Sequence, residues 1–388
     1  MKIIFFRHPR FMKSQSMPRY AAWLADGMRA RGHEVTEWSP EGRFYSMPVP
    51  GPLKKWMGYI DQYLIFPRWV KKQLKKVPSD TLFVFADHAL GPWVPLVADR
   101  LHVIHCHDFL AQRSALGQIP ENPTSSTGKA LQSMIRKGFS KGRRFISISR
   151  KTEQDLLALL PEPPALSQVV YNGLTGEFIP GDPIHARQVV GAAAGVDLTK
   201  GYILHVGGNQ WYKNRKGVVS LYAEWAKTAA EPAPLLMVGP PAPEDLKSLA
   251  AGVTSPGRVI FLSSPPDELV KQAYRGAEIF LFPSLAEGFG WPIAEAMASG
   301  CPVITSNEAP MNEVAADAAL YIPVMGKDKT AWLRESVPVL EEAMQLPAKQ
   351  RGLLIAAGIQ NAARFNGDVS LDDMERIYKD ITENRKGA

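Results

Sequence analysis

The chain is predicted to be an α/β protein with two doubly wound, Rossmann-like domains. Short apolar runs of strand length alternate with helical segments along its 388 residues, which is the pattern of parallel sheets with crossover helices. The runs form two series, separated by residues 178–184 (FIPGDPI), where two prolines and a glycine break helix and strand. A hydrophobic content of 45% can fill two cores. We therefore expect domains at residues 1–180 and 181–367.

The individual elements follow from the same patterns. The strands predicted in the first domain are 2–6, 34–38, 81–85, 102–105, 144–148 and 168–170, with a helix at 20–31 ended by Gly32. Those predicted in the second domain are 202–206, 235–238, 259–261, 278–282 and 302–304. Residues 349–388 are expected to be helical, with Ser370 as an N-cap and Asp373 three residues later.

Residues 283–313 join a predicted strand to a predicted helix and carry two carboxylates, Glu287 and Glu295. Pro292 suits a first helical turn and Gly300 suits the position after the last turn, so the helix should begin near Trp291. Glu295 is then expected in the first turn, where the helix dipole stabilises an anion. Glu287 stays on the loop.

The loop before this helix contains Gly288 and Gly290. Because glycine has no side chain, a polar or anionic ligand could approach the backbone N–H groups at the start of the helix. A carboxylate and two glycines at a helix start also occur as plain capping chemistry, so the composition of this loop alone does not identify a site.

A second candidate site follows the first strand of the second domain. That strand runs into Gly207 and Gly208, and the loop then carries three cations, Lys213, Arg215 and Lys216. Ligands of open α/β sheets bind outside the carboxyl ends of the strands, and cations placed there would neutralise a diphosphate. A solvated run of charge is the alternative.

In the first domain, His105, His107 and Asp108 crowd the end of the fourth predicted strand. Histidine and aspartate bind zinc or iron. Successive residues of a strand point to opposite faces, however, so three ligands from one strand end rarely converge, and no metal is expected. Asn172 and Gly173 before the linker are explained by a β-turn.

The string EGFGWPIAEAMASGCPV at residues 287–303 resembles the EGFGxPxxEAMAxGxPV signature of the retaining family-4 glycosyltransferases. The resemblance covers most of the chain and is strongest over residues 201–320. It implies the GT-B fold, in which two Rossmann-like domains face a cleft and the final helix, about 368–388 here, crosses back to the N-terminal domain. It also implies transfer of a hexose from a UDP- or GDP-sugar without a metal.

The resemblance further implies roles for the donor side. Glu287 would contact hydroxyls of the donor sugar, Glu295 would bind the ribose, and Lys213 with Arg215 or Lys216 would hold the diphosphate. Gly208 and Tyr212 stand where the family has an arginine. Either Arg215 or Lys216 could therefore supply the second contact to the diphosphate. The full donor-binding set is Gly207, Gly208, Lys213, Arg215, Lys216, Gly288, Phe289, Gly290, Trp291 and Glu295.

On the acceptor side, His107 and Asp108 resemble the family's HxHD segment and are candidates for orienting the acceptor hydroxyl, while His105 is expected to face the sheet. With Glu287 and Lys213 they complete the predicted catalytic residues. Relatives often have a glycine pair after the first strand. This chain has RFMKSQSMP there, so Ser14, Gln15 and Ser16 are candidate acceptor contacts. A cell-surface polysaccharide or lipid-linked glycan is the expected acceptor.

Positive charge is concentrated in the first domain, above all in residues 51–76. This segment carries Lys54, Lys55, Arg68, Lys71, Lys72, Lys75 and Lys76 against Asp61 alone, interleaved with Trp56, Tyr59, Tyr63, Phe66 and Trp69. Basic and aromatic side chains together are typical of peripheral proteins on anionic bilayers. The alternative is a solvated face over core aromatics, with Pro67 interrupting any single helix. No recognised nucleic-acid motif is present, so nucleic acid is not expected.

The remaining features favour a cytoplasmic enzyme. Cys106 and Cys301 form no disulfide framework, and neither a signal peptide nor a membrane span is expected. No dinucleotide or P-loop fingerprint is present. Two alternatives stay open. One is a nucleotide-sugar epimerase of the same fold, which needs acid and base carboxylates that the first domain does not obviously offer. The other is a catalytically silent scaffold on a membrane surface.

Overall fold

The computed structural model describes residues 1–11, 16–174 and 177–383, and the side chain of Ser16 lies outside that description. The chain divides into an N-terminal unit, Met1–Tyr171 with Asp368–Ala388, and a C-terminal unit, Asn172–Gly367. The boundary between the two units, at Tyr171 and Asn172, lies a little before residue 180, where the sequence predicted it. Leu174 already belongs to the C-terminal unit, where it forms a parallel bridge with Asn366.

The N-terminal unit is built on a six-stranded parallel sheet in the order β2-β1-β3-β4-β5-β6. Its central strands are buried along nearly their whole length because helices cover both of their faces: β1 and β3 are apolar apart from Lys2, and β4 also carries two buried histidines, His102 and His105. The strands are β1 (Lys2–Phe6), β2 (Glu34–Trp38), β3 (Leu82–Phe85), β4 (His102–Cys106), β5 (Arg144–Ser147) and β6 (Leu166–Val169). All six predicted strands are present, with ends shifted by one or two residues.

The helices of this unit lie in two layers on the sheet. They are α1 (Ser16–Ala30), α2 (Gly51–Ile60), α3 (Phe66–Leu74), α4 (Leu110–Ala115), α5 (Ser126–Phe139), α6 (Arg150–Leu159) and the late helix α15 (Gly367–Glu383), with a 3-10 helix at His88–Leu96. Alternate residues of β1 serve the two layers. Ile3 and Phe5 pack with α1 and α15, while Ile4 and Phe6 pack with α3, α5 and the 3-10 helix.

The return of the last helix to the N-terminal unit is confirmed. Leu371, Met374, Ile377 and Tyr378 of α15 are buried against α1 and the sheet. The predicted N-cap was wrong, because α15 begins at Gly367 and Ser370 lies within it. Ser370 is buried instead, and its hydroxyl donates to the carbonyl of Tyr171 at 2.9 Å.

His105 fixes this helix to the sheet. Its Nδ1 lies 2.9 Å from the hydroxyl of Tyr20, and its Nε2 lies 2.6 Å from the hydroxyl of Tyr378. Burial lowers the pKa of His105 to about 3, so the ring is neutral and joins α1, β4 and α15 through hydrogen bonds. His105 thus faces the packed core, as expected.

The basic segment is helical throughout but is not a single α-helix, and the break falls just before Pro67, where an interruption was expected. A π-helical turn, Asp61–Ile65, connects α2 to α3. The backbone N–H of Phe66 donates to the carbonyl of Asp61, five residues earlier. Pro67 then falls in the first turn of α3, where its missing N–H leaves no helical bond unmade.

The C-terminal unit has a second parallel sheet, in the order β12-β11-β10-β7-β8-β9. Its strands are β7 (Ile203–Val206), β8 (Leu235–Gly239), β9 (Val259–Ser263), β10 (Ile279–Phe282), β11 (Val303–Ser306) and β12 (Leu320–Ile322). The sequence patterns missed β12, because three residues at a half-buried sheet edge show no periodicity. The helices are α7 (Pro183–Ala194), α8 (Arg215–Ala226), α9 (Glu244–Ala251), α10 (Asp267–Gly276), α11 (Trp291–Ala298), α12 (Met311–Ala315), α13 (Lys329–Met344) and α14 (Ala348–Ala362).

No helix in the described part of the chain is both long enough and apolar enough to cross a bilayer. Cys106 and Cys301 are free and buried.

We predict that Gly138→Ala destabilises the N-terminal unit. A Cβ at Gly138 would lie 2.2 Å from the carbonyl oxygen of Gly91, where α5 crosses the 3-10 helix backbone to backbone. Neither backbone can yield cheaply, so urea unfolding followed by circular dichroism should show a loss of about 1–3 kcal/mol. Gly352→Ala is the control. It is exposed in α14 with nothing within 4 Å of its Cβ, and it should gain roughly 0.5–1 kcal/mol. Equal effects of the two changes would contradict the close crossing.

Candidate active site

The strand order of the C-terminal sheet places two loops beside an opening. Read from β9, the order is β9-β8-β7-β10-β11-β12, so the chain winds one way from β7 and the other way from β10. The loops after these two neighbouring strands, residues 207–214 and 283–290, therefore diverge at the carboxyl edge. Ligands of doubly wound sheets bind at such a switch point.

An ion pair joins these two loops. The Nζ of Lys213 lies 2.7 Å from Oε1 of Glu287, with both side chains largely buried. The hydroxyl of Ser284 lies 2.6 Å from the same oxygen. Because both contacts use Oε1, the second carboxylate oxygen can accept a hydrogen bond from a ligand. The two residues predicted to carry donor chemistry, 74 positions apart, are therefore in direct contact.

Backbone contacts hold Lys213 in place. It ends a short 3-10 helix, Trp211–Lys213, and Asn214 follows with a φ of 50°. The side chain of Asn214 caps α8 at the N–H of Gly217 and donates to the carbonyl of Pro283 at 3.0 Å. The N–H of Leu285 donates to the carbonyl of Tyr212 at 2.7 Å. The loop carrying the cation is thus bonded directly to the loop carrying the carboxylate.

The buried ring of His205 leaves no room for a side chain at Gly207. A Cβ there would sit 2.8 Å from Nε2 of His205. His205 is fully buried and its Nδ1 lies 2.9 Å from the carbonyl of Leu281, so Nδ1 carries the proton. Burial, with Arg215 and Lys213 nearby, lowers the pKa of His205 to about 3. Gly208 is crowded by the side chain of Gln210.

The two remaining cations of the loop differ in environment. Lys216 is exposed and pairs with Asp245 on α9, with Nζ 2.5 Å from Oδ2. Arg215 is buried, and its Nη1 donates to the side chain of Asn209 and to the carbonyl of Pro240. Burial also lowers the pKa of Arg215. Both residues lie in the first turn of α8, but Arg215 is bonded to Asn209 of the preceding loop, whereas Lys216 points to solvent beside α9.

The helix of the signature begins at Trp291 and ends before Gly300, as predicted. Gly290 is its N-cap with a φ of 100°, a conformation that favours glycine, and it provides no capping side chain. Phe289 is buried and packs edge-on against Phe365, with ring centroids 5.2 Å apart. Gly288 precedes it on the loop. Phe289 therefore anchors the loop, while Gly290 opens it.

Glu295 does not lie in the first helical turn, and that prediction was wrong. It is the fifth residue of α11, one turn further on, where it accepts a hydrogen bond from the hydroxyl of Tyr274 at 2.9 Å. Burial raises the pKa of Glu295 to about 7, against the lowering effects of Tyr274 and Lys213. Desolvation thus outweighs the helix dipole that was expected to stabilise the anion.

Three buried polar atoms on or beneath these loops have no hydrogen-bond partner among the described residues. They are Nε2 of His205, Nε of Arg215 and Nε1 of Trp291. Two of the three are donors. Buried polar atoms in folded proteins are nearly always paired, so this group indicates a site completed by a polar ligand or by water.

The N-terminal sheet has its own switch point, between β1 and β3, with a group of residues that the sequence patterns missed. The Nε2 of His8 lies 2.8 Å from Oδ2 of the buried Asp87, and Nδ1 of His88 lies 3.0 Å from Oδ1. Both histidines hold the pKa of Asp87 well below its usual range, despite burial. His107 was singled out because it is a polar residue just past the end of a strand. The same rule would have identified His8, Asp87 and His88.

Two of the predicted acceptor-side residues, His107 and Asp108, lie just past the end of β4. His107 is buried, with Nε2 donating to the carbonyl of Ala86 at 2.8 Å and its ring edge-on to Tyr20. Asp108 is half-buried and accepts a hydrogen bond from the N–H of Leu110, the first residue of α4, at 3.0 Å. Ser14 and Gln15 lie outside the described residues. Ser16 begins α1, and its side chain is not described. Within the described ranges, no group of three His, Cys, Asp or Glu side chains is arranged to hold a metal ion.

Two family models match the chain, one in each half. The model described as "Glycosyltransferase Family 4" matches residues 17–177, and the model "Glycosyl transferases group 1" matches residues 200–341. O-antigen chain mannosyltransferase B of Escherichia coli is 27% identical over 204 residues, which are 52% of this chain and 53% of that protein. D-inositol 3-phosphate glycosyltransferase of Mycolicibacterium vanbaalenii is 28% identical over 300 residues, 73% of this chain and 63% of that protein. The chain thus spans about half to two thirds of the length of these relatives.

Solved structures resemble the whole chain in fold. Sucrose-phosphate synthase from Thermosynechococcus elongatus superposes with a TM-score of 0.71 at 16% identity, covering 99% of this chain and 100% of that one. HepE from Anabaena, in complex with UDP and glucose, gives 0.71 at 16% identity with 98% and 99% coverage. WaaG, a glycosyltransferase involved in lipopolysaccharide biosynthesis, gives 0.70 at 18% identity with 97% and 99% coverage. The predicted GT-B fold is confirmed.

We predict that Glu295→Gln stabilises the protein at pH 8 more than at pH 5. The folded-state pKa of about 7 lies above the ordinary value of 4.5, so the favourable, protonated state is complete below about 4.5 and is lost as pH rises through 7. Glutamine keeps the hydrogen bond with Tyr274 and never ionises. Melting temperatures of both proteins at the two pH values test this. A difference independent of pH would show that Glu295 ionises normally.

Proposed function

Because the chain belongs to the family-4 glycosyltransferases, we propose that it transfers a hexose from a UDP- or GDP-sugar to an acceptor hydroxyl with retention of configuration. The observation that carries this proposal is the contact between Lys213 and Glu287 at the switch point of the C-terminal sheet. A cation for a diphosphate and a carboxylate for sugar hydroxyls stand side by side where such sheets bind ligands.

The donor side follows from the geometry of the two loops. The diphosphate would take Lys213 as its cation, with Arg215 second, because Lys216 is paired with Asp245. Glu295, which is hydrogen-bonded to Tyr274, would accept hydrogen bonds from the ribose hydroxyls. The indole N–H of Trp291, which lacks a protein partner among the described residues, and the backbone at Gly290 are donors for the sugar or phosphate.

Retention is best explained by substitution on the leaving-group face. The bond from the anomeric carbon to the departing phosphate breaks while the acceptor oxygen bonds to the same carbon, and the phosphate takes the acceptor's proton. Lys213 stabilises the charge that grows on the phosphate. Lys213 and Ser284 hold Glu287 through one carboxylate oxygen. Glu287 is therefore suited to accept hydrogen bonds from sugar hydroxyls and poorly suited to attack the anomeric carbon.

The acceptor side is proposed at the carboxyl edge of the N-terminal sheet. Asp87, anionic and buried, orients His8 through a 2.8 Å hydrogen bond. His8 is partly exposed and can contact an acceptor hydroxyl, with His107 and Asp108 as further candidates. A cell-surface polysaccharide or lipid-linked glycan is the proposed acceptor class. Among the similar proteins, the O-antigen mannosyltransferase and WaaG are named for such products.

We further propose that the reaction needs no metal and takes place in the cytoplasm. The support for the first statement is that Lys213 and Arg215 stand where a metal would otherwise neutralise the diphosphate. The support for the second is that both cysteines are free thiols.

The test is a thermal-shift comparison of UDP, GDP, ADP and their sugar conjugates at millimolar concentration with EDTA present. One nucleotide family should raise the melting temperature by several degrees, since a ligand at 100 times its dissociation constant stabilises by about 2.7 kcal/mol. Lys213→Ala should abolish the shift, and Lys216→Ala, the matched loss of a neighbouring charge, should keep it. No shift with any nucleotide would overturn the donor site.

Turnover is tested separately from binding. The assay uses the donor so identified and a total lipid and glycan extract as acceptor. Glu287→Gln should retain the thermal shift and lose at least about 100-fold in the rate of release of nucleoside diphosphate. Glutamine keeps the size of the side chain but lacks the negative charge that the transition state requires. Wild-type turnover in this variant would contradict the role given to Glu287.

A further inference from the structure

The outer layer of the N-terminal unit, formed by α2, the π-helical turn, α3, the 3-10 helix and α5, carries a large excess of positive charge. Residues 51–76, 88–98 and 126–144 contain one acidic residue, Asp61, and the exposed Asp80 and Asp99 lie just outside these ranges. Asp61 is buried and accepts the backbone N–H groups of Phe44 and Tyr45 at 3.1 and 2.8 Å, so it faces inward. The lysines of α3 are exposed.

This layer also exposes large apolar side chains among the cations. Leu53, Trp56 and Leu64 are each about half exposed, at 48%, 55% and 51%. Trp56 packs edge-on against Tyr59, and Tyr59 lies 5.6 Å from Tyr63 between ring centroids. The aromatic rings therefore form a row along the helical run, from the solvent at Trp56 inward to Tyr63. Exposed cations and exposed apolar groups therefore share this face.

The row leads to a groove. Its volume is about 540 Å³, and it lies between the π-helical turn with α3 on one side and the 3-10 helix with α5 on the other. Tyr63, Pro67, Trp93 and Met134 line it, and the exposed Lys137 and Lys141 complete the wall. The close crossing of Gly138 on Gly91 sets α5 against the 3-10 helix at its floor.

The cations of α3 border the same groove. Pro67 lines it, and Lys71 and Lys75 follow at intervals of four, which places them on the same stripe of the helix. The apolar groove thus has two lysines of α5 among its lining residues, further lysines on the stripe of α3 that includes Pro67, and no carboxylate among the described residues that line it.

We infer that this face docks on an anionic phospholipid bilayer and that the groove takes one of its lipids, the acyl chain against Trp93 and Met134 and the phosphate between Lys137 and Lys141. Positive charge attracts the surface, and exposed aromatic and aliphatic groups enter the interface. Nucleic acid would use the lysines and leave Leu53, Leu64 and the apolar groove without a role. The inference does not depend on the proposed transfer reaction.

Flotation with vesicles tests the face. The protein should float with phosphatidylcholine vesicles containing one third phosphatidylglycerol and should not float with pure phosphatidylcholine. Replacing Lys71, Lys72, Lys75 and Lys76 by Gln should reduce partitioning roughly fivefold for each lysine. The matched control replaces four exposed lysines of the C-terminal unit by Gln, which should change nothing: Lys200, Lys227, Lys247 and Lys349. Equal flotation of all three proteins, or binding to RNA without binding to vesicles, would overturn the inference.

Calorimetric titration with dihexanoylphosphatidylglycerol, below its micelle concentration, tests the groove. The wild type should bind it. Ala98→Trp, which fills the groove without changing charge, and Lys137→Gln with Lys141→Gln should each lose binding at least tenfold while keeping the wild-type circular dichroism. Inorganic phosphate should not compete at equal concentration. Unchanged binding in both variants, or no binding to the wild type, would show that the groove is not a lipid site.

Discussion

The chemistry of the C-terminal unit depends on the reversal of winding between β7 and β10. Two neighbouring parallel strands whose crossovers leave in opposite directions cannot have their loops packed over one another, so a gap opens at the carboxyl edge. The glycines, the cation of one loop and the carboxylate of the other all border that gap. The hydrogen bonds from Asn214 to Pro283 and from Leu285 to Tyr212 then tie the two loops to one another.

Charge neutralisation governs the contact between the two loops. Lys213 and Glu287 are largely buried and would each be costly alone, and as a pair they compensate one another. In the proposed reaction a diphosphate would bring its own negative charge to Lys213 and weaken that compensation, which would leave Glu287 freer to accept hydrogen bonds from hydroxyl groups. Glu295 differs, since burial raises its pKa to about 7 against the lowering effect of its hydrogen bond with Tyr274.

The sequence allowed the fold to be predicted because the central strands are short and mostly apolar, and because the signature fixes a helix start at Trp291 through Pro292 and Gly300. Local patterns could not predict which residues distant in the chain come into contact. Lys213 and Glu287 are 74 residues apart, and His8 and Asp87 are 79 apart. Local patterns also misjudged Glu295 by one helical turn and gave no sign of the π-helical turn before Pro67. Both features concern backbone register, which propensity does not determine.

The position of α15 has a consequence for synthesis on the ribosome. The core shared by β1, β3 and α1 includes Leu371, Met374 and Ile377, which are translated only after the whole C-terminal unit. The half of the protein that emerges first must therefore wait, with a strip of apolar surface uncovered, while the half that emerges second folds independently. Nascent chains stalled before residue 367 should therefore expose this strip and be clients for chaperones, and the N-terminal unit can complete its core only after the last helix has been synthesised.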